Sequence, residues 1–167
     1  MATGEGGMVT SILPEFIARI RDLKTYDGKT ADTVRYNYKM TEIQAAIGEV
    51  QLAQLDGFVA RRRQIAQRYL RSFKSLAVRL PVDPDQHIFY RFSVGLDNDC
   101  EVILQKLRRQ GIGCARPVFF PIHRHLKMDG YPVTDKVWET ALSLPIYPSL
   151  YPKEVEQIIT NFINVLK

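Results

Sequence analysis

Tyr36-Asn37-Tyr38-Lys39-Met40-Thr41-Glu42-Ile43-Gln44-Ala45-Ala46-Ile47-Gly48 is the stretch on which the reading of this chain turns. Thr41 suits a helix N-cap, where its hydroxyl accepts from a first-turn backbone N–H that has no helical partner. Strong helix formers follow at once through Ala45, Ala46 and Ile47. Ile43, Ile47, Val50, Leu55 and Val59 then fall near one face, and Ile65, Tyr69 and Phe73 continue the stripe beyond Gly57. The pattern predicts a long helix, or two nearly collinear ones, with an irregularity at Asp56-Gly57. Such a stripe reads as core or dimer contact rather than as a ligand site. Just before it, the Asn37 amide and the Lys39 ammonium stand two residues apart beside a helix N-terminus. That spacing fits an anion clamp, although taken alone it reads rather as a plain loop with a helix cap.

Working toward the N-terminus, Pro14 suits a first helical position and Glu15 the positive end of a helix, with Phe16, Ile17, Ile20 and Leu23 giving helical spacing to about Lys24. Residues 25–34, which include Gly28, read as a loop, and residues 8–12 as a short strand. Thr3-Gly4-Glu5-Gly6-Gly7 is a compact glycine turn that lets backbone approach a ligand closely. No Gly-Lys-Ser/Thr follows, so it is not a Walker loop, and taken alone it reads as a structural turn.

Toward the C-terminus the texture changes. Residues 76–82 read as a strand ended by Pro81 and Pro84. Residues 87–96 read as another, with Ile88, Tyr90, Phe92 and Val94 on one side. Residues 100–110 have helical spacing through Val102, Ile103 and Leu107, with Gly111 as terminator. Residues 112–120 suggest a third strand, interrupted by Pro117, and Pro152 opens a last helix burying Val155, Ile158, Ile159, Phe162 and Leu166. This order predicts a small α+β unit with a mainly antiparallel sheet. Arg116-Pro117 leads through Phe119-Phe120-Pro121 to Ile122-His123-Arg124-His125. An aromatic wall beside imidazoles and guanidiniums suits a nucleotide-sugar or a proton carrier. No Cys or carboxylate stands at ligand spacing from His123 and His125, so no metal site is expected.

The 167 residues, 46% hydrophobic and 25% charged, have ordinary globular usage. Cys100 and Cys114 are too few for a disulfide framework and fit a reducing cytosol as small packed residues. No apolar run approaches the about 18 residues of a membrane span, and no secretory signal is visible, so a soluble cytoplasmic protein is expected. The net charge of +5 suits an anionic partner. The Arg61-Arg62-Arg63 triplet, however, reads as a solvated helix face, because consecutive residues point around a helix. No helix-turn-helix or stacking-aromatic motif accompanies it, and a nucleic-acid binder is disfavoured.

Gly4-Glu5-Gly6-Gly7-Met8-Val9, the Tyr36 to Gly48 block, Arg116-Pro117 to Pro121-Ile122-His123 and Leu142-Ser143-Leu144-Pro145-Ile146-Tyr147-Pro148 occur together in one order. In that order they resemble the DegT/DnrJ/StrS family of fold-type I, pyridoxal-phosphate (PLP)-dependent aminotransferases acting on nucleotide-linked keto-sugars, over essentially the whole chain. The resemblance implies an α/β plus α+β fold. Residues 1–75, with the long helix, would end the large domain, and residues 76–167 would form the small C-terminal domain. It implies that Asn37 reaches the PLP phosphate of a neighbouring subunit. Lys39, where the family frequently has Arg, would keep the charge without the bidentate geometry. It places His123, with Arg116, on the substrate side, and makes Tyr147 core rather than site.

The family's Schiff-base lysine lies a few residues before the Glu of the glycine turn, a position that falls ahead of Met1. Lys24, Lys29 and Lys39 do not stand where the motif requires an amine. The phosphate-binding turn, the ring-stacking aromatic and the acid that pairs with the pyridine nitrogen also belong upstream. The expectation is therefore that this chain alone neither binds PLP stably nor transaminates. A homodimer would bury the apolar faces of 8–23 and 43–73, and an N-terminal half could complement the chain. The alternative is a non-catalytic module that dimerises or binds an anion.

Overall fold

The Thr41 cap forms as its chemistry requires. In the computed structural model, which describes residues 2–30, 32–82 and 86–167, the Thr41 hydroxyl accepts from the Gln44 N–H at 3.2 Å. The Gln44 side-chain oxygen accepts from the Thr41 N–H at 3.0 Å. This reciprocal box opens helix α2 (Glu42–Ala53). The helix stops at Gln54, and α3 (Leu55–Phe73) begins directly after it. The interruption thus falls just before Asp56-Gly57 rather than at it. Asp56 lies in the first turn of α3, where a carboxylate complements the helix dipole and a glycine is tolerated.

The chain divides into two compact units between Leu55 and Asp56. The division expected after residue 75 and the one between Leu55 and Asp56 place α3 differently. Here α3 goes with the second unit, because Ile65, Ala66, Tyr69 and Phe73 are fully enclosed in that unit's core.

The first unit holds α1 (Pro14–Leu23), with Pro14 at its start, and α2. Neither helix has a buried residue. The strand expected over 8–12 does not form: Met8, Val9 and Ile12 are exposed and unpaired in any ladder among the described residues. The loop after α1, of which Ala31 lies outside the described residues, is drawn back to that helix by Asp22. Lys29 reaches this carboxylate at 3.2 Å and Arg35 at 3.3 Å.

In the second unit, α3 is followed by β1 (Phe92–Gly95), α4 (Glu101–Arg109), α5 (Ile122–His125), α6 (Pro132–Thr140), β2 (Ala141–Leu144) and α7 (Pro152–Leu166). The sheet is antiparallel, as expected, but small. Its two strands β1 and β2 pair Phe92 with Leu144 and Val94 with Leu142. The strands expected at 76–82 and 112–120 reduce to single bridges, Arg79 to Gly95 and Ala115 to Ser143. Pro84 lies outside the described residues. The strand expected from 87 is shortened because Phe89 adopts φ +49°. That left-handed residue breaks the alternation, so Phe89 is buried while Ile88 and Tyr90 face solvent.

Gly111, at φ +78°, terminates α4 as expected. Within α4, Leu104 and Leu107 are buried, whereas Val102 is exposed. Val155, Ile158, Ile159 and Phe162 of α7 close the core. At its centre, Phe73 meets Phe162 at 4.8 Å between ring centroids, and Tyr69 meets Phe92 edge-on at 5.0 Å. Cys100 and Cys114 are buried in this core, and burial raises both thiols above their usual range.

The arginine triplet is a solvated face only in part: Arg63 is exposed, but Arg61 and Arg62 are half-buried and all three are bonded to loop carbonyls. Arg61 donates to the Leu150 carbonyl at 2.7 Å. Arg62 donates to Ile146 at 2.8 Å and Tyr90 at 3.2 Å, and Arg63 to His87 at 3.2 Å. Tyr69 adds a bond to the Pro145 carbonyl at 2.9 Å. Because consecutive helix residues fan outward, one helix pins two loops, 87–90 and 145–150. Tyr147, expected as core, is instead 45% exposed; Ile146 and Leu150 on either side of it fill the interior.

Candidate functional site

Two groups of candidate residues occupy separate units. In the first, the glycine turn and the Tyr36 block meet through Gln44. While its oxygen serves the Thr41 cap, its Nε2 donates to the Glu5 carbonyl at 3.3 Å. Gly6, at φ +148°, holds a backbone conformation that side chains rarely adopt, and a Cβ there would stand a tight 3.1 Å from both Met40 Cε and Thr3 Oγ1. Tyr36 and Tyr38 stack at 5.1 Å, and Asn37 between them is exposed. Lys39 pairs with Asp27 and lies 4.7 Å over the Tyr26 ring. The hydrogen bond it donates to Asp27 raises the Lys39 ammonium above its ordinary range.

In the second unit, the Arg116 and His123 block lies beside α6, a helix the sequence reading missed. His123 is 9% exposed, and its Nε2 lies 3.0 Å from Asp135 Oδ1. Arg124 binds the same oxygen through Nε and reaches Glu139 through Nη2 at 2.9 Å. The Arg124 hydrogen bond, aided by His123 against partial burial, holds the Asp135 carboxyl below the usual range. The Tyr131 ring packs 5.0 Å from the imidazole. His123, Tyr131 and Trp138 line a cavity of about 690 Å³, whose other walls are largely apolar, among them Pro117, Leu126 and Met128.

Arg116 is not among the residues lining that cavity. It donates to the carbonyls of Trp138 at 2.9 Å and Glu139 at 2.8 Å, at the C-terminal end of α6. It also reaches Asp99 at 2.9 Å and Glu101 at 3.2 Å, at the start of α4. These bonds satisfy carbonyls that a helix end leaves free and anchor α6 to α4. Both Arg116 and Arg124 stack on Trp138, at 4.5 and 4.6 Å from the ring centre. Asp135, Trp138 and Glu139 could have been found from Pro132 followed by Val133 and Val137 four apart, a helix start with a short stripe.

With these geometries in hand, residues 1–163 match the aminotransferase family expected from the sequence blocks. The chain belongs to the DegT/DnrJ/EryC1/StrS aminotransferase family. Among its relatives are the GDP-perosamine synthases of Caulobacter vibrioides, 29% identical over 99% of this chain and 49% of the relative, and of Vibrio cholerae, 30% identical over 99% and 50%. The dTDP-3-amino-3,4,6-trideoxy-alpha-D-glucose transaminase of Micromonospora megalomicea is 31% identical over 98% of this chain and 48% of its own. The solved aminotransferase TlmJ of Streptoalloteichus hindustanus superposes with a TM-score of 0.85 at 23% identity, over 93% of this chain and 47% of its own. The chain spans about half the length of the curated relatives it matches.

The family is PLP-dependent, so the residues present can be tested against that cofactor. An amine that captures an aldehyde works best when desolvation or a cationic neighbour lowers its pKa. Every lysine of this chain is exposed, and Lys39 is shifted the opposite way by Asp27. Asn37 and Lys39, both exposed, offer donors suited to a phosphate edge. The donor set fits an anion and does not fit the whole cofactor. Among the described residues no cluster suits a metal ion, and no helix is long and apolar enough to cross a membrane.

Proposed function

We propose that these residues are the C-terminal half of a PLP-dependent aminotransferase acting on a nucleotide-linked keto-sugar, and that the 167-residue chain alone is catalytically silent. The observation that carries this reading is the family match over 1–163 combined with coverage of only about half of each relative. The names of the relatives, a GDP-sugar and a dTDP-sugar enzyme among them, support the substrate class. The exposed lysines support the silence. In the assembled enzyme, PLP would supply the electron sink that acidifies the carbon bearing the amine. Asn37 and Lys39 are assigned to the phosphate of a cofactor held mainly by other residues, and His123 to the substrate side. Arg116 then acts through α6, whose position it secures, rather than by touching the sugar.

The apolar side chains of the first unit, such as Ile12 at 96% and Ile43 at 75% exposure, favour a dimer or an N-terminal half that covers them. The test is complementation. The purified chain with PLP is expected to give no borohydride-trappable adduct and no amino transfer to a GDP- or dTDP-linked keto-sugar. Adding the lysine-bearing N-terminal half of a family member is expected to restore both. A trappable adduct on the chain alone would refute the silence, and failure of every complementing half would remove the support for the fragment reading.

A further inference from the structure

The His123–Asp135 pair rests on more geometry than its sequence neighbours suggest. Asp135 lies in the first turn of α6, its backbone N–H bonded to the Tyr131 carbonyl at 3.0 Å. Its carboxylate is held by Arg124, which is itself anchored to Glu139 and stacked on Trp138. The His123 backbone is fixed as well, its carbonyl accepting from Met128 N–H at 2.8 Å. An ionised carboxylate has no proton to give, so the 3.0 Å contact requires Nε2 to be the donor. A neutral imidazole carries one N–H, and Nδ1 is then the acceptor. Asp135 is the one hydrogen-bond partner of this ring among the described residues, where no side-chain nitrogen or oxygen is both buried and unpartnered. Nδ1 is therefore not fully enclosed, on a ring that lines the cavity.

We propose that Asp135 is the positioning residue for His123: it locks the imidazole as the Nε2–H tautomer and leaves Nδ1 as the nitrogen offered to a hydrogen-bond donor in the cavity. The functional side of this inference rests on the reading of His123 as a substrate-side residue. Arg124 serves the same end one step removed, because a carboxylate pinned by a guanidinium cannot swing away from the ring. The logic is that of an orienting carboxylate behind a working histidine, where the second partner decides which nitrogen faces outward.

The experiment is side-chain ¹⁵N NMR of the full chain at neutral pH, with His87→Gln and His125→Gln used to assign the remaining imidazole. The expected result is a single Nε2–H pattern for His123. Asp135→Asn keeps the shape but can present its amide N–H to the ring, and is expected to raise the Nδ1–H share visibly while far-UV circular dichroism stays unchanged. A wild-type His123 found in the Nδ1–H form overturns the proposal. So does an Asp135→Asn spectrum identical to wild type. If Asp135→Asn fails to fold, the wild-type spectrum alone decides. The measurement uses neither cofactor nor sugar, so a failed complementation experiment leaves it intact, and its failure leaves the aminotransferase reading intact.

Discussion

The two units of this chain use similar apolar patterning to opposite ends. In the first, α1 and α2 carry Phe16, Ile43, Ile47 and Val50 at helical spacing, and all four are exposed to about half or more in the case of Phe16 and Val50, with Ile43 at 75% and Ile47 at 45%. In the second, the same kind of stripe on α3 and α7 is fully enclosed at Tyr69, Phe73, Val155 and Phe162. Periodicity thus identifies which face of a helix must be covered. It does not say whether a covering surface lies in the same polypeptide: the second unit encloses its own stripe, while these side chains of the first stay exposed.

The largest test of that contrast is a matched pair of truncations. Phe73→Ala removes a ring that meets Tyr69, Phe92 and Phe162, and is expected to destabilise the chain by about 3–5 kcal/mol. Ile47→Ala deletes as apolar a side chain, yet is expected to change the chain's own stability by no more than about 0.5 kcal/mol. Urea unfolding at low protein concentration checks both. An equal loss for the two variants would erase the distinction between the units. If the first unit mediates self-association, Ile47→Ala weakens it, which sedimentation at rising concentration would reveal.

A second test concerns the loops that α3 holds. Arg62→Ala leaves two carbonyls, those of Ile146 and Tyr90, without their guanidinium donor. A loss of about 1–3 kcal/mol is expected. Arg71, exposed near the end of the same helix, provides the control, with an effect inside about 0.5 kcal/mol. If the two arginines prove equivalent in thermal melts, the pinning role of the triplet is wrong.

What was legible beforehand divides along the same physical line. Local signals were legible: Pro14 and Pro152 opening helices, Thr41 capping α2 and Gly111 ending α4 all act within a turn or so of chain. The antiparallel character of the sheet was also legible, but its pairing was not, because β1 pairs with residues some fifty positions away, Phe92 with Leu144, and no local period encodes that partner. The positive φ of Phe89 also inverted the inside–outside parity that alternation assumes. At the candidate site, His123 was singled out through its motif, and the structure places it on the cavity wall. Its carboxylate partner was missed because α6, which opens at Pro132, is short and carries little apolar period to mark it. The arginine triplet was read only in part, for a geometric reason: Arg63 is exposed as expected, but fanning outward from a helix is also how one helix reaches several loops.

Returning to the first unit, Thr41→Ala removes the hydroxyl acceptor for Gln44 N–H and half of the reciprocal cap. About 1 kcal/mol of helix stability is expected to go. Since α2 buries no side chain, the change should appear as faster amide exchange within α2 alone, with the global unfolding midpoint of the second unit unmoved. A shift of that midpoint comparable to the one from Arg62→Ala would mean the two units unfold together.

The smallest expected effect is the acid response of the second unit. Asp135 and Asp99 both titrate below the ordinary 3.8 in the folded chain, Asp135 through Arg124 and Asp99 through the Glu101 N–H, with Arg116 assisting. The unfolded chain therefore takes up protons first as pH falls. Stability from these carboxylates is fully present above the unfolded value and drains away as pH drops through the folded one. Asp99 is open to water and Asp135 is only half-buried, so the slope should be shallow. Melts across the acid range should show a decline beginning near pH 4 that is flatter in Asp135→Asn. A variant with an undiminished decline would place the acid sensitivity elsewhere, outside the network that steadies His123.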